Sequence, residues 1–186
     1  MIFAQGFGPL RGLLNIFLAR LILNRVDLIT LRDEASYHAL KALGISRPPM
    51  FVAADPVPLL ELDKAASAEK ICRQNMIDIN RPVLAIAVRD LPGNRSDEEK
   101  VFAALAQEID RLVQEKGYQP VFLLLHRKDE RVSGKIAEKM AEKAVILSQE
   151  IDPSEMLAVI AQAELLIGMR LHSLVFAAMT ATPMLG

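Results

Sequence analysis

The sequence contains one cysteine, Cys72. A lone thiol excludes an internal disulfide and suits a reducing compartment, and its expected place is as a small core hydrophobe rather than a reactive thiol. Positive charge is not in excess, because 22 Lys and Arg are set against 23 Asp and Glu; nucleic-acid binding has no electrostatic basis. A secretion signal is missing too: "MIFAQGFGPL" has no basic region before its apolar residues and breaks at Gly6 and Gly8. The expected location is therefore the cytoplasm, including the inner face of the membrane.

Uninterrupted apolar runs of membrane-spanning length are also absent. Leu13 to Leu31 contains Arg20, Asn24, Arg25 and Asp27, and Leu165 to Ala181 contains Arg170 and His172. An arginine deep in a span costs roughly 2.5 to 3.5 kcal/mol on insertion scales. Both stretches are expected to be buried within a folded protein, with membrane contact at most peripheral. There is no repeat, no low-complexity tract and no metal-ligand spacing.

What remains is a chain of 186 residues, 52% hydrophobic, long enough for one ordinary domain or two small or incomplete ones. Short β-type runs alternate with longer helical ones, which predicts βαβ units on parallel sheets. "MIFA" (1 to 4) precedes a helix with Leu14, Phe17, Leu18 and Leu21 as its apolar stripe. "DLITL" (27 to 31) leads into a helix from Asp33 to Leu43, stopped by Gly44, and "MFVAAD" (50 to 55) follows. Residues 56 to 81 read as an interdomain connection with a helix near Ala65 to Met76.

Alternation then resumes with "VLAIAV" (83 to 88), a turn at "PGN" (92 to 94), and a capping box of Ser96 and Glu99 opening a helix to Lys116. Val101, Leu105, Ile109 and Leu112 are its expected buried stripe. "VFLLL" (121 to 125), a helix marked by Val132, Ile136 and Met140, and "AVIL" (144 to 147) come next. Asp152-Pro153-Ser154-Glu155 places a cap, a first-turn proline and a third-position carboxylate in the preferred order. "ELLIG" (164 to 168) and a helix from about Arg170 to Ala181 close the pattern.

In a parallel sheet the residues after each strand line the edge where ligands bind. Those positions are Gln5-Gly6-Phe7-Gly8, Arg32-Asp33, Asp55, Arg89-Asp90, His126-Arg127-Lys128, Ser148-Gln149 and Arg170-His172. Four of these seven turns contain arginine, which points to an anionic small molecule bearing phosphate or carboxylate. Each has a plainer reading. Gly6 and Gly8 make a tight turn or a phosphate cradle, Arg32 and Asp33 a local ion pair with a cap, Asp55 a turn former, and His126 to Lys128 a solvated turn.

Arg170 and His172 stand apart because apolar residues surround them on both sides. On a regular helix, positions i and i+2 point about 200° apart, so they share a target only where the chain enters the helix. A helix N-terminus favours anions and disfavours protonated imidazole. His172 is thus expected to be neutral and usable as a base, with Arg170 as a two-pronged anion clamp; a structural buried pair is the alternative.

"IGMRLHSLVFA", with "AQGFGPL", "VDLITLRDEAS", "AADP" and "AIAVRD", resembles the polysaccharide pyruvyl transferase family over essentially the whole chain, and "GMRLHSL" is its specific element. The resemblance implies an α/β fold of two Rossmann-like parallel-sheet domains of glycosyltransferase-B type, both incomplete here because family chains run further at each end. Residues 1–55 would be the later part of the first domain, 56–81 the connection, and 82–186 most of the second.

It also implies transfer of a pyruvyl group from phosphoenolpyruvate, a donor substrate rather than a cofactor, to a sugar or lipid-linked saccharide of a cell-wall or exopolysaccharide polymer, forming a ketal. Arg89 and Arg170 would bind phosphoenolpyruvate and His172 would be the active-site histidine; by their places after strands, Gly6, Gly8 and His126 are further substrate-binding candidates. Alternatives are a glycosyltransferase using a nucleotide-sugar and a truncated, non-catalytic relative.

Overall fold

The structure, a computed structural model, describes residues 1–60, 66–91, 95–147 and 151–186, without the side chains of 66–68 and 95–96. Two compact units are present, Met1–Leu59 and Leu60–Gly186. The division falls inside the segment read as a connection.

In the first unit, β1 (Ile2–Gln5), β2 (Ile29–Leu31) and β3 (Met50–Val52) form a parallel sheet in that order. Helices α1 (Leu13–Leu23) and α2 (Glu34–Ala42) are the crossovers. Ile29 and Leu31 pack with Leu23, Leu40 and Ile45 as the unit's core. Asp33 caps α2 from extended backbone, accepting the Ser36 N–H at 2.6 Å. That bond and the Ser36 hydroxyl hold its carboxyl below the ordinary value. Gly44, with φ +77°, takes the left-handed conformation that ends the helix, as its position after Leu43 predicts.

Helix α1 departs from expectation. Its predicted buried stripe, Leu14, Phe17, Leu18 and Leu21, is exposed by 69%, 60%, 42% and 41%. Ala19 and Leu23 join the core instead, and Leu23 is the only buried residue of the helix. At about 100° per residue, Leu13, Leu14, Phe17, Leu18, Leu21 and Ile22 fill about half the helix circumference on the side away from Ala19 and Leu23. Both arcs are apolar, so periodicity marks a helix without saying which arc meets the sheet.

The second unit begins with α3 (Ala66–Gln74), which packs against α6 (Pro153–Ile160) and carries buried Ile71 and Cys72. Burial pushes the Cys72 thiol up, in keeping with a core hydrophobe. Its sheet comprises β4 (Val83–Ala87), β5 (Gln119–Phe122), β6 (Val145–Ile146), β7 (Ala163–Gly168) and β8 (Met184–Leu185). All pairings are parallel and the order is β6-β5-β4-β7-β8. Every residue of β4 is buried, which is why its sequence is apolar without alternation.

Packed on that sheet are α4 (Arg95–Lys116), α5 (Asp129–Ala137) and α7 (Leu171–Thr180) as well as α6. In α4 the buried stripe is Phe102, Ala106 and Ile109, while Val101 is 41% exposed. Ile109 is buried as predicted, and Leu105 and Leu112 pack partly buried against the same core; the difference is at the first position, where Phe102 takes the place expected of Val101. Glu99 engages Lys135 and Lys139 of the α5 region at 3.1 and 2.8 Å. The 92–94 turn, the Ser96 cap and Ser148-Gln149 lie outside the described residues. Asp152, Pro153 and Glu155 form the expected capping box at α6. Among the described residues, no helix is long and apolar enough to cross a membrane.

From β4 the chain proceeds to β5 on one side, and β7 later pairs on the other. The carboxyl ends of β4 and β7 therefore flank a topological switch point, where open α/β sheets bind ligands. Gly168 ends β7 there under a tight helix. A Cβ at Gly168 would sit 2.7 Å from Ser173 Oγ and 2.9 Å from Leu174 Cδ2, whereas one at Gly8 meets nothing within 4 Å.

Two predictions follow from this packing. Gly168→Ala should lower stability by about 1–3 kcal/mol, and Gly8→Ala should stay within about 0.5 kcal/mol, measured by urea unfolding. Hydrogen bonds from the Ser154 hydroxyl and then the Ser154 N–H hold the Asp152 carboxyl below 3.8. The unfolded chain therefore binds this proton first, so the contribution is complete above 3.8 and is lost as pH falls through the folded value. Unfolding curves from about pH 5 to about pH 2 should fall less steeply for Asp152→Asn than for wild type; equal slopes would refute the linkage.

Candidate functional site

The site is built from the ends of β4 and β7. Their register pairs Ala87 with Gly168, and the Met169 N–H extends the ladder by donating to the Ala87 carbonyl at 2.7 Å. Arg89 and Arg170 each lie two residues past that last pair, in the turns that leave two neighbouring strands. Arg89 is exposed. Its neighbour Asp90 is tied to α5 through an ion pair with Arg131, which also reaches Glu98 at 3.5 Å.

Arg170 is the N-cap of α7, with extended backbone at φ −100° and ψ 126°. It lies at the helix entrance, as the argument from helical geometry requires, and His172 follows in the first turn. The Arg170 carbonyl accepts the Ser173 N–H at 3.0 Å, the Ser173 hydroxyl at 2.6 Å and the Leu174 N–H at 3.3 Å. Ser173 is fully buried against Gly168. These contacts fix the backbone from which the guanidinium projects.

The guanidinium is engaged on one side by a carboxylate. Nε donates to Asp129 Oδ2 at 3.1 Å and Nη2 donates to Oδ1. Asp129 is wholly buried and opens α5, while the Arg170 side chain keeps 25% of its exposure. Burying a lone carboxylate is costly, so the two-pronged pair compensates a charge that the interior would otherwise reject. It uses two of the five guanidinium N–H donors, leaving three on the other side. Sequence reasoning missed Asp129. The only signal was an acidic residue directly after the His126-Arg127-Lys128 turn, where a first-turn carboxylate reads as favourable to the helix dipole.

His172 is half-buried in α7. His126 is exposed in the turn after β5, where its Nδ1 accepts the Lys128 N–H at 3.1 Å and its carbonyl accepts the Asp129 N–H at 2.8 Å. The neutral ring then carries its proton on Nε2. His126 thus helps shape the turn that presents Asp129.

Gly6 and Gly8 belong to the first unit. A Cβ at Gly6 would meet the Arg32 guanidinium at 2.6–2.9 Å, so the missing side chain makes room for that arginine. Arg32 pairs with Asp55 at 3.2 Å and with Asp33 at 3.7 Å, linking the turns after β2 and β3. Asp55 also accepts the Val57 N–H at 3.1 Å, the turn-forming role its sequence position suggests.

Among the described residues, no cluster of His, Cys, Asp and Glu is arranged to hold a metal ion. A cleft of about 300 Å³ in the first unit is lined by Arg20, Leu21, Asn24, Arg25, Ser46 and Arg47. The α3 surface carries a shallow groove lined by Glu69, Lys70, Arg73 and Gln74. The turns that leave β4 and β7 carry Arg89 and Arg170, and His172 lies in the first turn of α7.

Comparison with solved structures finds the crystal structure of a glycosyl transferase family 9 protein from Veillonella parvula DSM 2008, at a TM-score of 0.50 and 16% identity. The match covers 90% of this chain and 48% of that one, so the chain spans about half the length of that relative. At that identity the likeness is one of fold, and the fold is glycosyltransferase-B-like with parallel sheets. No curated protein matches the chain. The family model for polysaccharide pyruvyl transferase matches residues 1–186. The chain, with its "GMRLHSL" turn at the switch point, belongs to the polysaccharide pyruvyl transferase family.

Proposed function

We propose that this chain carries the donor site of a transferase that moves a pyruvyl group from phosphoenolpyruvate onto two hydroxyls of a sugar in a cell-wall or exopolysaccharide polymer. The observation that supports the reading is that the turns carrying Arg89 and Arg170 leave adjacent strands at the switch point of the second unit. Phosphoenolpyruvate carries a carboxylate and a phosphate on one three-carbon skeleton. Two guanidinium groups suit that charge pattern, and the free side of Arg170 offers a planar fork for either group.

Protonation of the donor's methylene carbon makes C2 electrophilic. One sugar hydroxyl adds to C2, the C2–O bond to phosphate breaks, and the second hydroxyl closes the ketal. Two hydroxyl protons are released; one equivalent is taken up in the new methyl group and the other leaves with phosphate, so no oxidant or reductant is needed. His172 handles one of these protons, a role worth about 10²- to 10⁴-fold in rate.

Calorimetric titration with phosphoenolpyruvate and with uridine diphosphate tests the reading. Phosphoenolpyruvate should bind preferentially, and Arg170→Lys should weaken it about tenfold because lysine lacks the planar fork. Preference for the nucleotide would instead favour a nucleotide-sugar glycosyltransferase. His172→Ala should lower turnover about 10²- to 10⁴-fold with little change in donor affinity. Wild-type protein that binds donor but never turns over would identify a non-catalytic relative.

A lipid-linked acceptor would bring the protein to the cytoplasmic face of an anionic membrane, and α1 supports peripheral contact there. Its exposed arc joins six large apolar side chains, and the cleft beside its C-terminal end is lined by Arg20, Arg25 and Arg47. Residues 1 to 26 contain three arginines and no carboxylate side chain. Apolar insertion combined with cationic flanks fits an interfacial helix. The protein should co-sediment with phosphatidylglycerol vesicles but not with phosphatidylcholine vesicles, and Phe17→Glu should abolish the difference. Self-association through the same face without vesicle binding would overturn this part of the reading.

A further inference from the structure

We infer that Asp129 is a positioning residue: it aims the guanidinium of Arg170 at the donor anion and takes no part in the chemistry itself. The inference rests on the donor-site reading above, and it assigns work to a carboxylate that an anion-binding site would ordinarily exclude. A negative charge beside a site for phosphate or carboxylate opposes binding unless it serves another purpose.

The geometry supplies that purpose. Asp129 lies in the turn after β5 and Arg170 in the turn after β7, and these strands flank β4 on opposite sides. Their ion pair therefore links the two outer turns across the end of the strand that leads to Arg89. The contact is side-on, through Nε and Nη2, so both Nη1 hydrogens and the outer Nη2 hydrogen face away from Asp129. Had the carboxylate met Nη1 and Nη2 end-on, it would have taken the edge best suited to an incoming anion. The side-on pair instead holds the plane of the guanidinium while keeping that edge available.

Asp129 is itself held. It is fully buried, and its N–H donates to the His126 carbonyl at 2.8 Å. Two residues later, Arg131 pairs with Asp90, beside Arg89. The first turn of α5 thus anchors both arginine-bearing turns, one through a carboxylate and the other through a guanidinium. Donor groups held in place before binding lose less freedom when the ligand arrives, which raises affinity without adding a contact.

The experiment measures binding of phosphoenolpyruvate, inorganic phosphate and uridine diphosphate to wild type, Asp129→Asn, Asp129→Glu, Arg170→Gln and the Asp129→Asn/Arg170→Gln double variant. Thermal melts run alongside to confirm folded protein. Asp129→Asn should weaken whichever anion wild type binds by about tenfold, and it should have no further effect in the Arg170→Gln background.

Asp129→Glu keeps the charge but displaces the guanidinium, so it should also weaken binding while melting near wild type. If Asp129→Asn does not fold, this variant decides the matter. Unchanged or tighter binding in a folded Asp129 variant would overturn the inference, since it would make the carboxylate a structural partner or a competitor of the ligand. Wild-type preference for the nucleotide with the same Asp129 dependence would sink the donor assignment and leave the positioning role standing. Wild-type protein that binds none of the three anions would overturn both.

Discussion

A carboxylate removed completely from water must be matched, and Asp129 is matched by Arg170. That requirement ties together two segments at the carboxyl edge of the second unit's sheet. It draws the turn after β5 toward the turn after β7, fixes the guanidinium that the "GMRLHSL" segment carries, and explains how an arginine sits in an otherwise apolar stretch. Desolvating two charges consumes much of what their attraction returns, so a buried pair of this kind is weak evidence of added stability. Removing either partner alone would leave the other's charge uncompensated.

The first unit uses the same construction at its own strand ends. Arg32, after β2, reaches Asp55, after β3, and Gly6 leaves space for the guanidinium. In the second unit Arg131, in the first turn of α5, ties that helix to Asp90, just after β4. Several arginines near these edges are therefore engaged in cross-links between segments. Counting cations along the edge overstates the field available to an anion, because carboxylates from adjacent turns neutralise part of it. What distinguishes the turn after β7 is an Arg170 whose pairing with Asp129 is side-on, through Nε and Nη2.

Much of this was legible in the residues. The apolar run of β4, the Asp152 capping box, the Gly44 stop and the break before Arg170 are local signals, and each element formed where its signal stood. Helix α1 and the first position of the α4 stripe were misread for a shared reason. Periodicity reports that a helix has an apolar side, but when apolar residues occupy more than one side, only the neighbouring element decides which becomes core. Phe102 displaced Val101 in this way, and Ala19 with Leu23 displaced the larger residues of α1. Asp129 was missed because a carboxylate in a first helical turn already has a sufficient local explanation.

Sequence alone determined the alternation of strand and helix, the parallel character of the sheets, the family and the positions of the arginines. These follow from short-range chemistry: side-chain period, caps, glycine breaks and a distinctive turn. Tertiary structure alone decided that β4 lies between β5 and β7, that Arg89 and Arg170 follow neighbouring strands, and that Asp129 grips one side of Arg170. Those facts depend on contacts between residues some forty or more positions apart, and no local pattern encodes which distant carboxylate a buried guanidinium will meet.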